Sequence, residues 1–258
     1  MLSNLFAPSP PLDETSVDWI FQVFGWSLRN LDGAYFRDHT ILVNPTNEHF
    51  AGRTNSVGGM AELIFRIVAG YAGMAHWPLR LTEATAVMPA LTGPVRVNGP
   101  LRAAAPARPP ASGSALLTVP YEPALVANPE ALIAGLAQNL AHHLGASVRE
   151  PPPGGLENWP QTTEVIGVFL GFGLMFANTA FEFQRRSCGS CGGPAARREA
   201  FLSQYDITYA LALFATLKRI PERDVLRHLK SSLRGHYRRC VRDLRPRTES
   251  VEALHAAA

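Results

Sequence analysis

Residues 128–147 read NPEALIAGLAQNLAHHLGAS. Asn128 is a good helix N-cap, Pro129 suits the first helical position, and Glu130 suits the positive end of the dipole. Gly145 is a natural stop. Between Glu130 and Arg149 there is no formal charge. A surface helix needs a charged face, so this one is expected to be enclosed on most sides. Leu132, Ile133, Leu136, Leu140 and Leu144 form a broad apolar stripe. Opposite it lie Ala134, Gly135, Gln138, Ala141, His142 and Gly145. Gln138 and His142 are one turn apart and share that small-residue face.

The 258 residues, 47% hydrophobic and 17% charged, are enough for one large core. A net charge of +3 gives no global electrostatic signature, so any basic patch is local. Cys188, Cys191 and Cys240 do not make a disulfide framework, and a reducing, cytoplasmic setting is expected. The start, MLSNLFAPSPPLDET, lacks the basic and apolar regions of a signal peptide. The most membrane-like stretch, VIGVFLGFGLMFANTAF at 165–181, is shorter than the ~20 residues a span needs and contains Asn178. It reads as a buried helix rather than a transmembrane segment.

Upstream, Asp13 or Thr15 opens a helix to about Leu31, with Trp19, Ile20, Val23, Phe24 and Leu28 at helical spacing. Thr40–Val43 is a short strand candidate closed by Asn44-Pro45. Asn55-Ser56 precede a helix over about 57–73. Leu79–Ala84, Val95–Ala103 and Leu116–Tyr121 read as strands broken by Gly-Pro and Pro-rich turns. Downstream, REPPPGGLENWP is a loop. A helix from about Thr162 to Phe183, a Cys/Gly-rich loop, and helices near 204–218 and 222–244 follow. The class is α+β: a small sheet in the N-terminal half packed on a buried central helix, with a helical C-terminal half. One domain spans 1–258, with an irregular N-terminal tail (1–12), a flexible loop (104–114) and a flexible C-terminal tail (245–258).

This layout resembles the zincin metallopeptidases, in which H-E-x-x-H sits on a buried helix. There the two histidines bind zinc, the glutamate polarises the attacking water, and a third ligand comes from the next helix. Ala137-Gln138-Asn139-Leu140-Ala141-His142 resembles the A-H-E-L-A-H form of that motif. Further blocks are similar to a group of uncharacterised bacterial proteins that carry it: Thr163-Glu164-Val165, Val168 to Gly173, Ala177 to Phe181 and Tyr209 to Phe214. The resemblance covers roughly residues 115–235.

It implies Gln138 at the first ligand, Asn139 at the general base and His142 at the second ligand. Gln138 is a poor zinc ligand, and Asn139 cannot accept a proton from water. The third ligand, counted back four residues from Glu164, falls on Pro160, which has no ligating side chain. Glu157 could replace it only after a loop shift. His142 is expected to be a core histidine bonded to Gln138, Glu164 or a backbone carbonyl, or else part of a remodelled metal site. Glu164 is expected to cap a helix start or to partner His142. Gly167, Gly171 and Gly173 suggest close packing against the small face of the 128–147 helix. Asn178 suggests a structural tie.

Cys188-Gly-Ser-Cys191 has C-x-x-C spacing, which fits a plain loop, half a zinc site or a redox pair. Residues 218–247 carry eleven Lys/Arg against Glu222, Asp224 and Asp243. Arg223, Arg227, Lys230, Arg234 and Arg238 are spaced 4, 3, 4, 4 along one expected helix face. That is either a solvated face or a contact for nucleic acid, an anionic membrane or an acidic partner. Three functional expectations follow. One is a catalytically inactive zincin-like domain with a binding or scaffolding role toward a protein partner, with no cofactor. The second is a metal-dependent hydrolase with rearranged ligands, where zinc would sit on His142, Glu164 and Glu157 or on the cysteine pair. The third is a basic-helix interaction protein.

Overall fold

The computed structural model describes residues 10–84, 99–104, 116–180 and 200–257. Helix α1 runs Glu14–Asn30, and Asp13 caps it by accepting from the Ser16 amide. A short α2 (Gly33–Asp38) follows. Helix α3 (Val57–Tyr71) is capped by Ser56, which accepts from the Gly59 amide. These starts obey the capping chemistry visible in the sequence.

Two parallel strands, β1 (Leu79–Glu83) and β2 (Leu117–Tyr121), pair with Leu79 opposite Leu117 and Glu83 opposite Tyr121. Among the described residues the sheet has two strands where three were expected. Residues 99–103 form no strand, and 95–98 lie outside the described residues. The 99–104 segment instead runs beside the end of α3. The Ala103 amide donates to Gly73 O, and Trp77 Nε1 donates to Leu101 O. Thr40–Val43 is not a strand either. Its backbone bond to a distant segment, Val43 N–H to Gly171 O, holds it against a helix rather than a sheet.

The central helix α4 (Pro129–Ala146) starts at Asn128, whose side chain accepts from the Ala131 amide. Its leucine stripe is buried, and so are Ala131, Ala134, Ala137, Ala141 and Gly145. β2 packs on it, with Val119 and Tyr121 buried, and His143 Nε2 meets Thr118 O at 2.9 Å. The sheet against a buried helix is therefore present, in reduced form.

Helix α5 (Trp159–Gly167) begins at Trp159, earlier than expected, because Pro160 sits where its missing N–H costs nothing. A π-type turn over Val168–Phe172 breaks the expected long helix, and α6 (Gly173–Thr179) completes it. Residues 181–183 lie outside the described residues. Gly171 has φ 101°, and a Cβ there would lie 2.1 Å from Ile41 O. Only glycine permits both that backbone and that approach. The 156–179 stretch is long and apolar enough to cross a membrane, yet its most apolar window is wholly buried inside the fold. Helix α4 packs on α5, the π-type turn and α6, as expected, while the space beside each glycine is taken by a particular neighbour. Gly167 faces the Phe176 ring, Gly171 faces Ile41, and Gly173 faces Leu211. Gly145 of α4 faces Trp159 and Ile166 of α5.

Helix α7 (Gln204–Leu217) opens with a capping box between Ser203 and Asp206 and is almost entirely buried. The single helix expected over 222–244 is two: α8 (Glu222–His228) and α9 (Ser231–Leu244). Asn178 makes the break. Its Nδ2 donates to His228 O and Glu130 Oε2, while its Oδ1 accepts the Lys230 amide at 2.9 Å. The side-chain amide thus satisfies the backbone groups that the break frees. The tail expected to be flexible from 245 contains α10 (Thr248–Ala257), which packs on α1 with Leu254 buried near Gly25. Arg247 clamps it, pairing with both oxygens of Glu14 at 2.6 and 2.8 Å and with Asp243 at 3.0 Å. Of the 1–12 tail, residues 1–9 lie outside the described residues, and residues 10–12 are irregular. Of the 104–114 loop, residues 105–114 lie outside them.

A charged group sits inside this core. Arg102 is 2% exposed. Its Nε donates to Ala72 O, its Nη2 donates to Thr40 Oγ1, and the guanidinium lies 4.3 Å over the Tyr35 ring. Burial pushes it down to about 10, so it stays charged at neutral pH.

Candidate functional site

The site the sequence singles out lies between α4 and the start of α5. Gln138 and His142 are half-buried on the α4 face expected for them. Trp159, the first residue of α5, reaches back and donates its indole N–H to His142 Nδ1 at 2.9 Å. The two rings meet edge to face, 5.5 Å apart at 75°. His142 Nε2 is buried and has no hydrogen-bond partner. Burial, and to a smaller extent the neighbouring His143, push His142 down to about 4. The imidazole is therefore neutral near pH 7.

The indole bond also fixes where the proton sits. Nδ1 accepts, so the single proton of the neutral ring is on Nε2. A zinc-ligating histidine needs a bare nitrogen toward the metal, with the other N–H donating to a carboxylate or carbonyl. Here one nitrogen is covered by Trp159 and the other carries the proton. The residues present do not fit a zinc ion without breaking the Trp159 bond.

The other positions are committed elsewhere. Asn139, which the resemblance sets at the general-base position, donates Nδ2 to Gly135 O at 3.0 Å and to Pro120 O at 3.4 Å, bracing α4 against β2. Glu164 does not cap its own helix, because α5 starts five residues earlier. It is fully buried, and its Oε2 accepts the amides of Phe201 (3.2 Å) and Leu202 (2.7 Å), just ahead of α7. It does not partner His142, whose nitrogens are accounted for above. Glu157 is exposed in a short turn at Leu156–Asn158. The Pro160 carbonyl takes Thr163 Oγ1 at 2.7 Å. The ligand set His142, Glu164 and Glu157 is not assembled, and among the described residues no group of three or more His, Cys, Asp and Glu is placed to hold a metal. Cys188 and Cys191 lie outside the described residues.

The basic stripe is divided by the break before α9. Arg223 and Arg227 sit on α8, Lys230 at the break, and Arg234 and Arg238 on α9. Arg238 pairs with Glu222 at 3.2 Å, and Arg234 Nε donates to Leu229 O at 3.0 Å. The expected continuous face is therefore two short ones, with some of its donors tied down.

Trp159 is the site residue that the sequence pattern hides, because its partner lies seventeen residues back on another helix. The only signal for it was a tryptophan directly before the Pro160 that starts α5. Comparison of the chain with known protein families, characterised proteins and solved structures gives no match.

Proposed function

We propose that this chain is a zincin-like domain released from peptide hydrolysis, which works by binding or scaffolding. The observation that carries this is the Trp159 indole on His142 Nδ1. It places the proton on the nitrogen that a metal would need. Asn139 and Glu164 support the proposal, since both are held by backbone groups that a catalytic residue would leave free.

Metal analysis of protein purified from zinc-supplemented medium tests it. Less than a tenth of an equivalent of zinc dependent on His142 is expected. One tightly held zinc per chain that is lost on His142→Asn would overturn the proposal. Zinc that survives His142→Asn and disappears with Cys188→Ser belongs to the cysteine pair and leaves it standing.

A further inference from the structure

A second feature lies away from the His142 site. The ends of α2, α7 and α10 meet over α1 around a half-open pocket of about 220 Å3. Leu28, Phe36 and Leu254, all buried, form its apolar floor. Its rim carries Arg37, Lys218, Arg219 and His255, and among the described residues no carboxylate lines it. The acids that act on this region from behind are Asp38, on Lys218, and Asp32, on Arg102.

Cations at helix C-termini are common, because they complement the dipole. That explains Lys218. Its ammonium donates to Phe36 O at 2.7 Å and Arg37 O at 2.6 Å, closing the end of α2. It does not explain Arg219. The end of α7 is a Schellman arrangement, with Ile220 N–H to Ala215 O and Arg219 N–H to Thr216 O. The left-handed residue in that arrangement is usually glycine. Here it is Arg219, at φ 53°. A strained backbone where a simpler residue would serve points to a use for the side chain. Arg219 is one of the residues that line the pocket. Arg102 adds to the positive field: its charge acts on Lys218, and its buried Nη1 has no hydrogen-bond partner.

We propose that this pocket binds a small amphiphilic anion, an organic carboxylate with a short hydrocarbon tail. The cationic rim takes the carboxylate and the Leu28–Phe36–Leu254 floor takes the tail. The space, about 220 Å3, suits a small ligand rather than a large cofactor. Inorganic phosphate would leave the floor unfilled, and a neutral alcohol would leave the rim unpaired. This site is independent of the reading of His142, and each can fail without the other.

The test uses the full chain and sodium octanoate, with octanol and inorganic phosphate as the comparison probes, read by calorimetry at low salt. The expected result is saturable one-to-one octanoate binding, with both comparison probes at least tenfold weaker. Arg219→Gly is the discriminating variant. It relieves the left-handed strain, so its melting temperature should hold or rise while octanoate binding weakens at least tenfold. Absence of saturable octanoate binding, or binding unchanged by Arg219→Gly, overturns the proposal. Octanol or phosphate binding as tightly as octanoate also overturns it, by removing the need for floor and rim together.

Discussion

His142 should make the protein lose stability in mild acid, and the loss can be isolated. In the unfolded chain a histidine titrates near 6.5, whereas in the fold this one is held down to about 4. A depressed folded value means that the unfolded chain takes the proton first. The contribution is therefore present above pH 6.5 and is lost as pH falls toward 4. The full displacement is worth about 3 kcal/mol at ~1.4 kcal/mol per unit. Between pH 7 and pH 5 the same relation gives about 2 kcal/mol, and partial exposure of the ring lowers that to about 1–2 kcal/mol. His143, His228 and His236 are also held down, chiefly by burial, so they bend the curve the same way. The effect of His142 is read by difference against His142→Asn, whose amide oxygen can still accept the Trp159 indole. Urea unfolding of both proteins at pH 7, 6 and 5 is the assay. The wild type should lose about 1–2 kcal/mol more than the variant between the two extremes. Parallel curves would refute the buried neutral imidazole.

Three further outcomes follow from single contacts. Gly171→Ala should cost about 3–5 kcal/mol in urea unfolding, because the added Cβ meets Ile41 O at 2.1 Å on a backbone that L-residues avoid; a loss below about 1 kcal/mol would contradict that approach. Asn178→Ala should cost about 3 kcal/mol by the same assay and raise amide exchange at Lys230, since it strands that amide, His228 O and Glu130 together; unchanged exchange would place the break between α8 and α9 under other control. Glu164→Gln should cost about 1–2 kcal/mol by weakening the acceptor of the Phe201 and Leu202 amides, and should leave metal content unchanged; a fall in bound metal would give Glu164 a role that its backbone bonds do not.

Where an element is started by its own sequence, it was legible. Asp13, Ser56 and Asn128 cap α1, α3 and α4 at the expected residues, because a side-chain oxygen three residues ahead of an unpaired amide is a local device. Where an element is ended by something distant, it was not. VIGVFLGFGLMFANTAF reads as one apolar helix, and the turn that divides it sits where Gly171 meets a distant segment, its carbonyl taking the Val43 amide and its α-carbon lying against Ile41 O. The same holds for the α8–α9 break. The periodicity of Arg223 to Arg238 is continuous through 229–230, and Asn178 interrupts it from α6. The C-terminal helix was missed because Val251 and Leu254 are too few to mark a stripe, while the clamp of Arg247 on Glu14 spans nearly the whole chain.

The candidate site divides along the same line. Residue types and spacing showed that Gln138 and Asn139 are poor choices for zinc chemistry, because that depends on which atoms a side chain owns. They could not show the state of His142, because that depends on which atom faces it. With a carboxylate or carbonyl beside Nδ1, the same histidine would carry its proton there and present a bare Nε2. With an indole N–H beside Nδ1, the proton is driven to Nε2. Residue 159 therefore decides whether His142 can ligate at all. Trp159→Phe keeps a ring in place and removes the donor, so it is the change that would return an open nitrogen to His142. With Gln138, Asn139 and Pro160 unaltered around it, that nitrogen would still lack the partners that hold a zinc ion tightly.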